Sequence, residues 1–165
     1  MLTRKRRENG GQRRIASDKT PESILIVDDN ESNLRLMEAI LSTEDYEVRR
    51  AVDAEDALRL LEDWRPRLIL MDIQLPGIDG LELTRRLKLD PSYKTTAIVA
   101  LTAYAMKGDE EKARAAGCDG YITKPVDTRT LPDLIAKHLG RAATHSADPE
   151  KRHRAGKTRQ SGARP

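Results

Sequence analysis

The 165-residue sequence predicts an α/β fold, a doubly wound parallel sheet with helices on both faces. Three observations point there. Short continuous apolar runs (Ile24-Leu25-Ile26-Val27, Leu68-Ile69-Leu70-Met71, Ala97-Ile98-Val99-Ala100-Leu101) read as strands buried on both faces. Segments with apolar residues at helical spacing lie between them. The strand–helix alternation repeats five times, which argues for parallel strands joined by crossover helices. The units are too few for a closed eight-fold barrel.

The elements follow in order. The first strand, Ile24–Val27, runs into Asp28-Asp29. Leu34, Met37 and Leu41, with Leu36 and Ile40, give the next segment a broad apolar helical face, and Asn30 or Ser32 suits its N-cap. Tyr46-Glu47-Val48 reads as a second strand. Asp53 suits the cap of a helix carrying Ala57, Leu58, Leu61 and Trp64, which Pro66 stops. The third strand ends at Asp72, and Pro76, Gly77 and Gly80 punctuate a turn. Leu81, Thr84, Leu87 and Lys88 belong to a helix ending near Asp90-Pro91. The fourth strand ends at Thr102. A helix over 107–116 is closed by Gly117. A short strand around 120–122 leads through Thr123 to Lys124-Pro125. Leu131, Leu134, Ile135 and Leu139 mark a last helix, closed by Gly140.

Charged residues make up 35% and aromatics 3%, so aliphatic side chains must build the core. The net charge of +3 hides an asymmetry. Residues 1–23 carry seven Lys/Arg against three Asp/Glu, and residues 141–165 carry seven against two, so 24–140 is −6. The expected organisation is a domain over 23–140 between basic tails, 1–22 and 141–165, whose composition argues for disorder. No apolar stretch is long enough to cross a membrane, and no apolar segment follows the basic N-terminus as in a secretory signal. Cys118 is the one cysteine, which excludes an intramolecular disulfide. A cytoplasmic setting is expected. Cys118 itself reads as a small buried hydrophobe.

Ligands of open parallel sheets bind outside the carboxyl ends of the strands. There the chain would place Asp28, Asp29 and Asp72, with Thr102 and Lys124. Three clustered carboxylates repel unless something neutralises them, and Mg²⁺ suits such oxygen ligands. The Asp-Asp pair alone also suits a helix N-terminus, which favours acidic residues, but that reading weakens once Asp72, from a different strand, is added. Asp72 reads either as a strand-end cap or as a nucleophile able to carry a phosphoryl group. The Thr102 hydroxyl can donate to a phosphoryl oxygen, and the Lys124 ammonium suits phosphate. A cis bond before Pro125 would direct the lysine back over the site. No Gly-rich phosphate loop is present, and His138, His145 and His153 form neither a metal cluster nor a triad.

At these residues the chain resembles the receiver domain of two-component response regulators. The resemblance covers about 22–140. It is carried by Ile-Leu-Ile-Val-Asp-Asp-Asn at 24–30, Met-Asp-Ile-Gln-Leu-Pro-Gly-Ile-Asp-Gly at 71–80, Ala-Leu-Thr-Ala-Tyr-Ala-Met at 100–106 and Ala-Gly-Cys-Asp-Gly-Tyr-Ile-Thr-Lys-Pro at 116–125. It is most like single-domain receivers of the DivK type and receivers of hybrid kinases. The resemblance implies a flavodoxin-like five-stranded sheet of order 2-1-3-4-5. It implies that Asp72 accepts a phosphoryl group from a phosphohistidine of a histidine kinase or histidine phosphotransfer protein. Asp28, Asp29, Asp72 and the Gln74 backbone carbonyl would hold Mg²⁺, and Lys124 would bind the phosphoryl group. Thr102 would move towards it and Tyr121 would turn inward, while Gln74 and Tyr104 would modulate its lifetime. The expectation is a regulatory phosphoacceptor with only self-phosphorylation and slow self-dephosphorylation. The 25 residues after 140 are too few for an output domain, so output is expected through protein contacts around 104–139, without specific DNA binding, from a monomer or weak dimer.

Two other classes fit less well. The basic tails would suit non-specific binding to an anionic polymer, but no aromatics interleave with the basic residues for base stacking. An aspartate-nucleophile phosphatase would usually carry a second acid two residues after the nucleophile, where this chain has Gln74.

Overall fold

The computed structural model describes residues 20–103 and 107–145; most of the two basic tails, and Tyr104, lie outside them. In chain order the elements are β1 (Ser23–Val27), α1 (Glu31–Ser42), β2 (Glu47–Ala51), α2 (Ala54–Asp63), β3 (Leu68–Asp72), α3 (Gly80–Leu89), β4 (Ala97–Thr102), α4 (Lys107–Ala116), β5 (Gly120–Thr123) and α5 (Leu131–His145). A single 3₁₀ turn, Pro91–Tyr93, follows α3. The strands form one parallel sheet in the order β2-β1-β3-β4-β5, as the resemblance implied.

Strand alternation divides the core in two. Ile24 and Ile26 of β1 pack with Leu34, Met37 and Leu41 of α1 and with Leu131 and Ile135 of α5. Leu25 and Val27 face the other way, onto Ala57 and Leu61 of α2 and Leu83 and Leu87 of α3. β1, β3 and β4 are therefore almost entirely apolar, which is why their runs are continuous in the sequence. Each fully buried Leu or Ile contributes roughly 1.5–3 kcal/mol.

Side-chain caps start the helices. Asn30 accepts from the backbone N–H of Ser32 and Asn33 at α1, Asp53 from Asp56 at α2, and Asp79 from Glu82 at α3. Three boundaries differ from expectation. β2 runs over Glu47–Ala51 rather than Tyr46–Val48, because an edge strand tolerates Arg49 and Arg50 along its length. α2 ends at Asp63, three residues before Pro66, where Trp64 turns extended. α5 continues through Gly140 to His145: a glycine costs a helix about 1 kcal/mol relative to alanine, which weakens it without stopping it.

The topology sets the site. The chain leaves β1 for β2 on one side and then crosses to β3 on the other. The crevice between the carboxyl ends of β1 and β3 is the switch point where ligands of such sheets bind.

Candidate functional site

Pairing in register brings the predicted residues together. Val27 lies opposite Met71, so the following residues, Asp28 and Asp72, emerge side by side. Thr102 pairs with Thr123 across β4 and β5, and the Lys124 N–H donates to the Thr102 carbonyl at 2.7 Å. Asp28, Asp72 and Thr102 are buried, whereas Asp29 is exposed. The Lys124–Pro125 peptide bond is cis, as expected.

Lys124 is the electrostatic centre. Its Nζ lies 2.8 Å from an oxygen of Asp28 and 2.8 Å from an oxygen of Asp72. Burial disfavours the ammonium, but the hydrogen bonds and charges of the two carboxylates outweigh this and raise its pKa above 10.5. Each carboxylate is also aimed by backbone. The Asn30 N–H donates to Asp28 Oδ1 at 2.8 Å, and the Gln74 N–H to Asp72 Oδ1 at 2.9 Å.

One oxygen each from Asp28, Asp29 and Asp72 lies within 4.8 Å of the others. One ammonium thus faces three carboxylates. Buried negative charge in excess of its partners is costly. A hard divalent cation is the natural complement, and the donor set, carboxylate oxygens with one exposed member, fits Mg²⁺ with retained waters.

Tyr121 sits on β5 with 41% of its surface exposed. A hydrogen bond to the Glu110 carboxylate on α4, with that charge, raises its pKa above 10.0. It lines a groove between α4, β5 and α5 with Glu110, Arg114, Leu134 and His138. The expected modulating residue Gln74 is exposed beside Asp72. Cys118 lies in a largely apolar setting, and burial pushes its thiol up to about 11. That agrees with its reading as a small hydrophobe.

Sequence reasoning missed two residues. Gly80 read as turn punctuation, but a Cβ there would overlap the Asp72 carbonyl oxygen, so only glycine lets α3 begin against the Asp72 backbone. Asn33 carried no signal on its own. Its Nδ2 lies 3.4 Å and 3.3 Å from the two oxygens of Asp28. A polar residue in the first turn after the acidic pair was the available cue.

Comparison with known proteins matches this fold. The response regulator receiver domain family matches residues 24–136. The polar-differentiation response regulator DivK of Brucella anthropi is 44% identical over 122 residues, covering 74% of this chain and 99% of that protein. A putative response regulator of Chloroflexus aurantiacus superposes with a TM-score of 0.70 at 34% identity, over 73% of this chain and 99% of that one. The receiver domain of a Pseudomonas aeruginosa sensor histidine kinase, with a magnesium ion coordinated in its active-site cleft, gives 0.67 at 35% identity, over 73% and 99%. The chain belongs to the response regulator receiver domain family. Within that family it resembles DivK.

Proposed function

We propose that the chain is a phosphorylation-dependent response regulator whose acceptor is Asp72. An Asp72 carboxylate oxygen attacks the phosphorus of a phosphohistidine on a histidine kinase or histidine phosphotransfer protein. The new O–P bond forms as the P–N bond breaks, and the imidazole leaves with the electron pair. Asp28, Asp29, Asp72 and the Gln74 backbone carbonyl would hold Mg²⁺. The metal would neutralise charge on the transferring group.

The chain's own residues do the rest. The Asn30 and Gln74 N–H groups fix the carboxylate planes. Lys124 exchanges its hold on Asp28 for the incoming phosphoryl oxygens while staying beside Asp72. Thr102, at the end of β4, moves towards the phosphoryl group and donates its hydroxyl to it. Tyr121 then leaves its exposed position, changing the face of α4, β5 and α5. Output passes through that face, around 104–139, to a protein target rather than to specific DNA. The molecule works as a monomer or weak dimer in the cytoplasm; among the described residues no helix is long and apolar enough to cross a membrane. It is a phosphoacceptor with slow self-dephosphorylation, not an enzyme with a separate substrate.

The observation that carries this reading is one lysine bridging two buried aspartates beside a third. Intact-mass spectrometry after incubation with acetyl phosphate tests it. One added phosphoryl group that needs both Mg²⁺ and Asp72 is expected. Full labelling of Asp72→Asn would refute it.

A further inference from the structure

We propose that Asn33 is a positioning residue for divalent-cation binding, which holds the Asp28 carboxylate against the pull of Lys124. The inference rests on the Mg²⁺ site proposed above and adds a residue of α1 to it.

Asp28 is fully buried and carries a full set of neighbours. Oδ2 faces the Lys124 ammonium at 2.8 Å, and Oδ1 accepts the Asn30 N–H at 2.8 Å. The Asn33 amide straddles both oxygens, at 3.4 Å from Oδ1 and 3.3 Å from Oδ2. The amide is itself anchored, because the Asn33 backbone N–H donates to the Asn30 side chain at 3.3 Å, as part of the cap that starts α1. Asp28, Asn30 and Asn33 thus form a closed clamp. Asn30 N–H fixes the acid, the Asn30 side chain fixes the first turn, and Asn33 returns from that turn to the acid.

The chemistry of the amide matters. A cation entering between Asp28, Asp29 and Asp72 must take an Asp28 oxygen from Lys124. A carboxylate free to swivel would follow the ammonium, which is charged and closer. Asn33 opposes that from the helix side. It is a neutral donor, so it orients the carboxylate without cancelling the charge the cation needs. A lysine or arginine at this position would act as a second internal counter-ion, and an aspartate would repel Asp28. Groups that hydrogen-bond metal-ligating side chains typically contribute 10–100-fold to affinity. The two long contacts here place Asn33 at the lower end.

The test uses the full-length chain, with Mn²⁺ as the probe and free-ion EPR as the readout, so that no phosphotransfer is needed. Asn33→Ala, which favours the helix, and Asn33→Leu, which keeps the volume without the donor, are compared with wild type. Both are expected to bind Mn²⁺ about tenfold more weakly, with thermal stability in EDTA unchanged. With acetyl phosphate, half-saturation by Mg²⁺ should rise about tenfold while the rate at saturating Mg²⁺ is kept. Affinity within twofold of wild type in both variants would overturn the role of Asn33 alone. A loss of affinity matched by a loss of stability in EDTA would also overturn it, since the residue would then be structural. Failure of the wild type to bind Mn²⁺ would overturn the site and this proposal together.

Discussion

Two lysine–aspartate pairs sit at opposite edges of the sheet. At the amino edge, Lys88 Nζ lies 2.8 Å from Asp119 Oδ2. At the carboxyl edge, Lys124 Nζ lies 2.8 Å from Asp28 and from Asp72. The distances are the same, but the settings differ. Lys88 also donates to the Thr96 carbonyl at 3.0 Å, and Asp119 accepts the Ile98 N–H at 2.8 Å, so one cation and one anion are matched and their remaining bonds go to backbone. The carboxyl edge sets one cation among three anions. The first pair ties α3 and β4 to the segment before β5. The second leaves charge for a ligand to complete. The number of partners, not the distance, separates a structural ion pair from a site.

Breaking the carboxyl edge at its backbone should have the largest effect. Gly80→Ala drives a methyl group into the Asp72 carbonyl, which cannot move without shifting β3. We expect a loss of about 3 kcal/mol or more in urea unfolding. Lys124→Met comes next. It leaves Asp28 and Asp72 without their counter-ion, and with one fifth of the lysine side chain exposed we expect a loss of about 2–3 kcal/mol in EDTA. That loss should shrink in Mg²⁺, because the metal takes over the neutralisation. Asp119→Ala, at the matched edge, should cost about 1–2 kcal/mol, mainly through the stranded Ile98 N–H, and be equally costly with and without Mg²⁺.

The smallest effect appears only at alkaline pH. Lys124 has a raised pKa, so its pair is complete below about pH 10.5 and is lost as pH climbs through the folded value. Cys118 acts in the same direction. Its thiol is raised from 9.0 to about 11, so the unfolded chain ionises first and stability falls between those values. Cys118→Ala should therefore flatten part of the decline between pH 9 and 11 in a denaturation series. At pH 8 the Cys118 thiol should react with iodoacetamide about a hundredfold more slowly than a free cysteine.

The sequence was most legible where a strand is buried on both faces. Asp28, Asp72 and Thr102 each end an uninterrupted apolar run, so their shared edge followed from topology, and Lys124 from the strand before it. Legibility dropped where side chains face solvent or act through geometry. β2 hid behind Arg49 and Arg50, whose long-range partners, Trp64 for one and Glu31 and Glu38 for the other, are set by tertiary structure, while Arg49 also pairs with Glu47 on its own strand. The extension of α5 past Gly140 overrode a stop signal. Gly80 and Asn33 matter because of what approaches them, which spacing alone does not encode. Asp119 carried no reading of its own, and its role became visible only once α3 and β4 were placed beside it.

Thermal unfolding across a Mg²⁺ series tests the central contrast most directly, using wild type, Asp28→Asn and Asp119→Asn. A cation that binds only the folded chain raises the midpoint in proportion to the logarithm of its concentration once above the dissociation constant. The midpoint should climb with Mg²⁺ in wild type and in Asp119→Asn, from a lower start in the latter, and stay flat in Asp28→Asn. A flat wild type, or an equal climb in Asp28→Asn, would contradict the assignment of the unmatched charge at the carboxyl edge to a divalent cation.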